Sequence, residues 1–241
     1  MRLSGVVAFL RSISLGFVEI VSPRYCMVCG GHLSAAENMI CGLCRAELPS
    51  THYHRQPGNP MELRFKGYPT VERATAVFRY ARSTPFARAI HDFKYNRYPS
   101  LAVELGREMG RRLLTTGYLS DIDIILPVPV HFIKRLHRGY NQSECLARGL
   151  ADVTGIFIGH HLYARRPHRT QTGRTLEERR MNTENVFAVK RPEELIGKRV
   201  LILDDVCTTG STFIACADAL KKDVPGVKCV LLALAATEDQ A

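Results

Sequence analysis

The sequence predicts an α/β protein, a parallel sheet flanked by helices with a small cysteine-rich module ahead of it. Three observations predict this. From Ala74 onward, short apolar runs alternate with stretches of helical period, the pattern of strands joined by helical crossovers. Near the N-terminus, two C-x-x-C pairs lie between Cys26 and Cys44. Late in the chain, the apolar run Val200–Leu203 leads directly into two aspartates and a turn of hydroxyl residues around a glycine.

Each element has its own warrant. Residues 1–22 place Val6, Val7, Leu10, Ile13, Phe17, Val18 and Val21 at helical spacing, so an amphipathic helix docked on the protein's own core is expected. A signal peptide is poorly supported, because Arg11 interrupts the apolar run and Glu19 follows it. A membrane-surface helix is the other reading of the same face. Residues 23–50 form the cysteine module. Residues 51–70, rich in Pro, Gly and His and without periodicity, read as a linker. The segment 71–241 is the main domain. In it ATAVFRY reads as a strand, and Pro85–Tyr95 and Pro99–Thr115 read as helices opened by proline in the first turn. Asp123–Leu126 is a strand stopped by Pro127 and Pro129. Gln142–Val153 is a helix with Leu146, Leu150 and Val153 on one face. Residues 165–184 are polar and basic, an exposed loop. VFAV is a short strand. Val200–Leu203 is a buried strand, Ser211–Lys222 a helix and Val227–Leu234 a buried strand.

Composition narrows the function. The chain has 241 residues, enough for one or two domains with a sizeable core. It is 46% hydrophobic and 23% charged, which excludes wholesale disorder. No apolar run reaches the roughly 20 residues of a membrane span. The net charge is +10. The basic surplus lies in residues 1–120 and 131–191, while 192–241 is net acidic. That balance favours anionic partners such as phosphates, nucleic acid or acidic lipid without choosing among them.

The cysteine module carries the first chemistry. Cys26-Met-Val-Cys29 and Cys41-Gly-Leu-Cys44 are separated by 11 residues. A two-residue spacer turns both sulfurs of a pair toward one point, and two such turns supply a tetrahedron of thiolates suited to structural Zn²⁺. Four protein ligands leave no open position. Paired C-x-x-C units also fit a reducing, cytoplasmic setting better than a disulfide framework.

The second chemistry is in VLILDDVCTTGST, Val200–Thr212. A buried strand delivers Asp204 and Asp205 at its carboxyl end, where open α/β sheets place ligands. Thr208, Thr209, Gly210, Ser211 and Thr212 then offer successive backbone N–H groups and hydroxyls, and the following helix aims its positive end at the same spot. The aspartates alone could be the Mg²⁺ arm of an NTPase. That reading needs G-x-x-x-x-G-K-[ST], which the chain lacks. Cys207 has no basic partner nearby in sequence and reads as a packing residue.

This block resembles the phosphoribosyl pyrophosphate (PRPP) fingerprint of type I phosphoribosyltransferases. The chain as a whole resembles the ComF competence family, through the four-cysteine finger, HDFKYNRYPSLAVELG, LPVPVHFIKRLHRGYNQ, RRPHRTQTGRTLEERRMN and the fingerprint in that order. The resemblance implies that Asp204 and Asp205 act at the ribose hydroxyls and stabilise an oxocarbenium-like sugar. It implies that Thr208–Thr212 cradle the 5′-phosphate. Lys134, Arg135 and Arg138 would pair with pyrophosphate, whose oxygens match the fork of a guanidinium group. Arg165–Asn182, with Arg174, Arg179 and Arg180, would be a hood that closes over substrate. Mg²⁺ would accompany PRPP. A cytoplasmic role in DNA uptake, beside other competence proteins and incoming single-stranded DNA, is the implied setting.

Two departures qualify the transferase reading. No lysine lies between Lys134 and Lys190, so the hood lacks the lysine that some of these enzymes use; its arginines and His168 are the available substitutes. No nucleobase pocket is recognisable, so the acceptor is open and PRPP binding without turnover is the alternative. In HDFKYNRY, alternating basic and aromatic residues suit a single-strand platform, unless Phe93 and Tyr95 are core or helix-end residues.

Overall fold

The computed structural model describes residues 23–95, 98–130, 139–165 and 186–237. The expected N-terminal helix and the hood beyond Arg165 lie outside these residues. The chain divides into two units at Leu48/Pro49.

In the first unit, two tight turns carry the cysteines. Gly30 N–H donates to the Cys26 carbonyl, and Cys26 N–H donates to Gly31. The second pair opens helix α1 (Gly42–Glu47). Glu37 braces both halves, its carboxylate accepting from the N–H groups of Ser34 and Gly42.

The second unit contains a parallel five-stranded sheet of β1 (Val71–Arg79), β2 (Ile124–Pro127), β3 (Phe157–Ile158), β6 (Arg199–Cys207) and β7 (Lys228–Ala236), in the order β1-β7-β6-β2-β3. The central strands are covered on both faces, which is why VLIL and VLLALAA read as unbroken apolar runs instead of alternating ones. Residues 200–203 and 229–235 are all buried. The described helices between β1 and β3 are α3 (Pro85–Tyr95), α4 (Pro99–Leu114) and α5 (Gln142–Thr154), of which α5 packs on β6 and β2. The α4–α5 contact is backbone to backbone. A Cβ at Gly149 would stand 1.8 Å from the Val103 carbonyl oxygen, and one at Gly106 would stand 2.1 Å from that of Leu146. Helix α6 (Ser211–Asp223) runs from β6 to β7 and joins the core that also holds Met61, Phe65, Leu162 and Phe187.

Among the described residues from Ala74 onward, the expected strands and helices are present with small shifts at their ends. Pro85–Tyr95 agrees to the residue, and the strand expected at Val200–Leu203 extends through Cys207 because its backbone keeps pairing with β7 beyond the aspartates. VFAV becomes β5 (Phe187–Val189), antiparallel to β4 (Leu162–Ala164).

The linker reading of 51–70 is corrected. This segment contains a 3₁₀ turn (Tyr53–Arg55) and a short helix, α2 (Pro60–Arg64). Asn59 caps α2 by accepting from the N–H groups of Met61 and Glu62. Met61 and Phe65 are almost fully buried in the core. Just before it, Pro49–Thr51 pairs with the outer edge of β1 through Thr51 N–H to Val77 and Arg79 N–H to Pro49, covering backbone that would otherwise be an open sheet edge.

Candidate functional site

The site forms at the carboxyl edge of the sheet, where β6 ends. Asp204 and Asp205 are its last polar residues before the turn. The Asp204 carboxylate accepts from the Ser143 hydroxyl at 2.8 Å and from the Asp205 N–H at 2.9 Å. Ser143 is itself fixed at the start of α5, where the Asn141 side chain caps the helix by accepting from Ser143 N–H. Asp205 accepts from Val206 N–H and forms an ion pair with Lys94 at 3.0 Å; their side chains are 13% and 20% exposed. Lys94 is placed by its own helix end. The carbonyls of Phe93 and Lys94, left open at the C-terminus of α3, accept from the Tyr140 hydroxyl and the Gln142 amide.

The two acids are therefore unequal. Burial pushes the Asp204 carboxyl up, and the neighbouring Asp205 charge pushes it the same way. The Ser143 hydroxyl, the Asp205 N–H and the Lys94 charge pull it back, and it settles at about 7. Asp205 is the acid that faces the Lys94 ammonium directly.

Past β6 the chain turns over Thr208, Thr209 and Gly210 into α6. Gly210 has φ +79°, and a Cβ there would meet the Phe65 ring at 2.7 Å. Only glycine suits both the left-handed backbone and the close ring. Cys207 and Gly210 are buried, Thr208 and Thr209 exposed, Ser211 and Thr212 half-buried. The Thr209 hydroxyl bridges to Ser211, donating to its hydroxyl at 3.2 Å and accepting from its N–H. Among the described residues no acceptor meets the N–H groups of Thr208, Thr209, Gly210 or Thr212. The turn is thus a row of open donors at the positive end of a 13-residue helix, a setting that attracts an anion. A cavity of about 300 Å³ opens elsewhere, between Pro127, Asn141, Glu144, His160, Tyr163 and Lys190, and neither the aspartates nor the turn line it.

Of the residues expected at this site, the structure brings together Asp204, Asp205 and Thr208–Thr212. Lys134, Arg135, Arg138, Arg174, Arg179, Arg180 and His168 lie outside the described residues. Lys94, Ser143, Arg64 and Phe65 belong to the site but were not singled out in the sequence. Within HDFKYNRY, Phe93 is fully buried and Tyr95, the last residue of α3, stacks on His91 with ring centroids 4.7 Å apart. Phe93 is thus core, and Lys94 of that motif is the residue paired with Asp205.

The four sulfurs of Cys26, Cys29, Cys41 and Cys44 lie within 4.8 Å of one another, close to the roughly 3.8 Å edge of a tetrahedron with Zn–S bonds of about 2.3 Å. Backbone N–H groups point at three of them: Val28 and Cys41 at Cys26, Gly31 at Cys29, and Cys44 at Cys41. Burial raises the Cys26 thiol, yet the N–H groups outweigh it and bring it down to about 7. Burial and the crowding of neighbouring thiols push Cys44 up. Four soft donors converging this way fit a single metal ion.

Fold and site together define a phosphoribosyl transferase-type domain, and the phosphoribosyl transferase domain family matches residues 131–240. Over most of its length the chain resembles competence protein F of Haemophilus influenzae, 28% identical over 209 residues that cover 82% of this chain and 90% of that one. It likewise resembles the DNA utilization protein YhgH of Escherichia coli K12, 29% identical over 218 residues, covering 83% and 92%. The chain is thus similar over most of its length to proteins bearing these two names, and it joins a four-cysteine module to a domain that matches the phosphoribosyl transferase family. Among solved structures, a glutamine PRPP amidotransferase from B. subtilis matches with TM-score 0.40 and 18% identity, over 59% of this chain and 30% of the other. No described helix is long and apolar enough to cross a membrane.

Proposed function

We propose that this chain binds PRPP at the carboxyl edge of its sheet and transfers the phosphoribosyl group to an acceptor, with release of pyrophosphate, in a cytoplasmic step of DNA uptake. One observation carries the reading: a pair of carboxylates, one of them tied to Lys94, stands just ahead of a turn of open N–H donors at the end of the same strand. An anionic sugar phosphate needs both, acids for the diol and amides for the terminal phosphate.

In this reading Asp204 and Asp205 hold the ribose hydroxyls, and Thr208–Thr212 hold the 5′-phosphate. Lys134, Arg135 and Arg138 face the pyrophosphate, and Arg174, Arg179 and Arg180 close over it. The oxygens of Asp204 and Asp205 suit hydroxyls and, through a bound diphosphate, a hard cation; Mg²⁺ bound with PRPP would neutralise charge on the departing pyrophosphate. The bond between the anomeric carbon and pyrophosphate breaks with its electron pair leaving on oxygen. A new bond forms from the acceptor, which gives up a proton. The chain's own contribution is orientation and negative charge near the developing sugar cation. Zn²⁺, held by Cys26, Cys29, Cys41 and Cys44, has a structural role.

The test is release of pyrophosphate from PRPP and Mg²⁺ by purified protein, across nucleobases and oligonucleotides. Release with one acceptor class supports transfer. Retained PRPP binding without release supports the second reading, a PRPP-responsive binder of single-stranded DNA, for which exposed Tyr95 and Tyr98, close in sequence to Lys94, speak. In that case DNA affinity falls steeply with added salt.

A further inference from the structure

We infer that Arg64 and Phe65 are positioning residues for the phosphate turn: the segment before β1 is the floor that aims its amides. The inference rests on the PRPP reading of that turn and adds residues that nothing in the fingerprint contains.

The Arg64 guanidinium donates to the carbonyls of Thr208 at 2.8 Å, Cys207 at 3.4 Å and Thr237. A trans peptide is planar, with its C=O and N–H pointing in opposite directions. Drawing the Cys207 and Thr208 carbonyls toward Arg64 therefore turns the N–H groups of Thr208 and Thr209 the other way. Those are among the donors left open on the turn. Anchorage at Thr237, just past β7, ties this orientation to the neighbouring strand. Cys207 is held twice, since its carbonyl also accepts from Thr237 N–H at 3.1 Å.

Phe65 does the same for the next peptide by contact. Its ring lies where a side chain on residue 210 would be and meets Phe213 edge-on at 6.1 Å between centroids. The turn therefore rests on a ring that is itself 3% exposed. Positioning of this kind calls for a flat, multidentate donor. A guanidinium reaches separate carbonyls at fixed angles, whereas an ammonium is a single point. Donors fixed before the ligand arrives lower the ordering cost of binding.

The experiment compares wild type, Arg64→Lys and Arg64→Gln in the full chain, by calorimetric binding of ribose 5-phosphate and by amide hydrogen exchange of the 207–213 peptide without ligand. Arg64→Lys keeps the charge and stem and guards against simple misfolding. The inference predicts faster exchange confined to 207–213 in both variants. It also predicts ribose 5-phosphate affinity reduced on the order of tenfold to a hundredfold in both, the effect of misplacing charge-assisted hydrogen bonds. Unchanged exchange in the turn overturns it. Full affinity in Arg64→Lys also overturns it, since charge alone would then suffice. Should wild type bind no ribose 5-phosphate while exchange still rises in the variants, the positioning role stands and the PRPP reading falls.

Discussion

Asp204→Asn should make the protein more stable at pH 8, and less so as the pH falls. The free carboxyl ordinarily titrates at 3.8, whereas burial, the adjacent Asp205 and the partial relief from Ser143 and Lys94 place it at about 7 in the fold. Below about pH 4 both folded and unfolded chains carry the proton, and the residue costs nothing. Between about 4 and 7 the folded chain holds a proton that the unfolded chain has lost, so stability declines as pH rises. Above about 7 the cost is complete. Three units at about 1.36 kcal/mol each set a ceiling of about 4 kcal/mol. Relaxation of the partly exposed site brings the expected gain to about 2–3 kcal/mol. Asparagine keeps an oxygen for the Ser143 hydroxyl, so the substitution removes charge with little change of shape. Urea unfolding followed by circular dichroism at pH 4.5, 6 and 8 measures it, at fixed zinc. The wild-type and variant curves should converge at the acid end and separate at pH 8. Equal stability at pH 8, or a less stable variant, would refute the claim that the fold carries an electrostatic cost at this carboxylate.

Gly149→Ala should lower stability by about 3 kcal/mol or more, because its Cβ would stand 1.8 Å from the Val103 carbonyl and two helices must part to admit it; an unchanged melting temperature would contradict the close crossing. Elemental analysis should find one zinc per chain, falling sharply in Cys26→Ser, since a tetrahedral thiolate site loses a quarter of its ligands. Chelation should unfold residues 23–48 first, visible as loss of exchange protection in that unit alone.

Much of this architecture could be read from residue pattern. The runs VLIL and VLLALAA were recognisable as central strands because they have no polar face, and Pro85 and Pro99 marked helix starts. The acid pair and its turn were legible because their chemistry is contiguous. What stayed hidden depends on distance along the chain. Strands Phe157–Ile158 and Leu162–Ala164 are too short to show a period. Arg64 meets Thr208 across 144 positions and Ser143 meets Asp204 across 61, and no local signal couples them. The segment 51–70 looked like a linker because its two buried anchors, Met61 and Phe65, sit among Pro, Gly and charged residues. Lys94 was visible as a basic residue beside aromatics, but its partner was not.

The central claim is that the acid pair and the turn after it form a sugar-phosphate site, and calorimetric titration of PRPP with Mg²⁺ tests it most directly. Wild type should bind one PRPP per chain, while Asp204→Asn/Asp205→Asn, folded by circular dichroism, should show binding weakened by at least tenfold. Absence of heat and of any thermal stabilisation at millimolar PRPP in wild type, or equal affinity in the double variant, would contradict it.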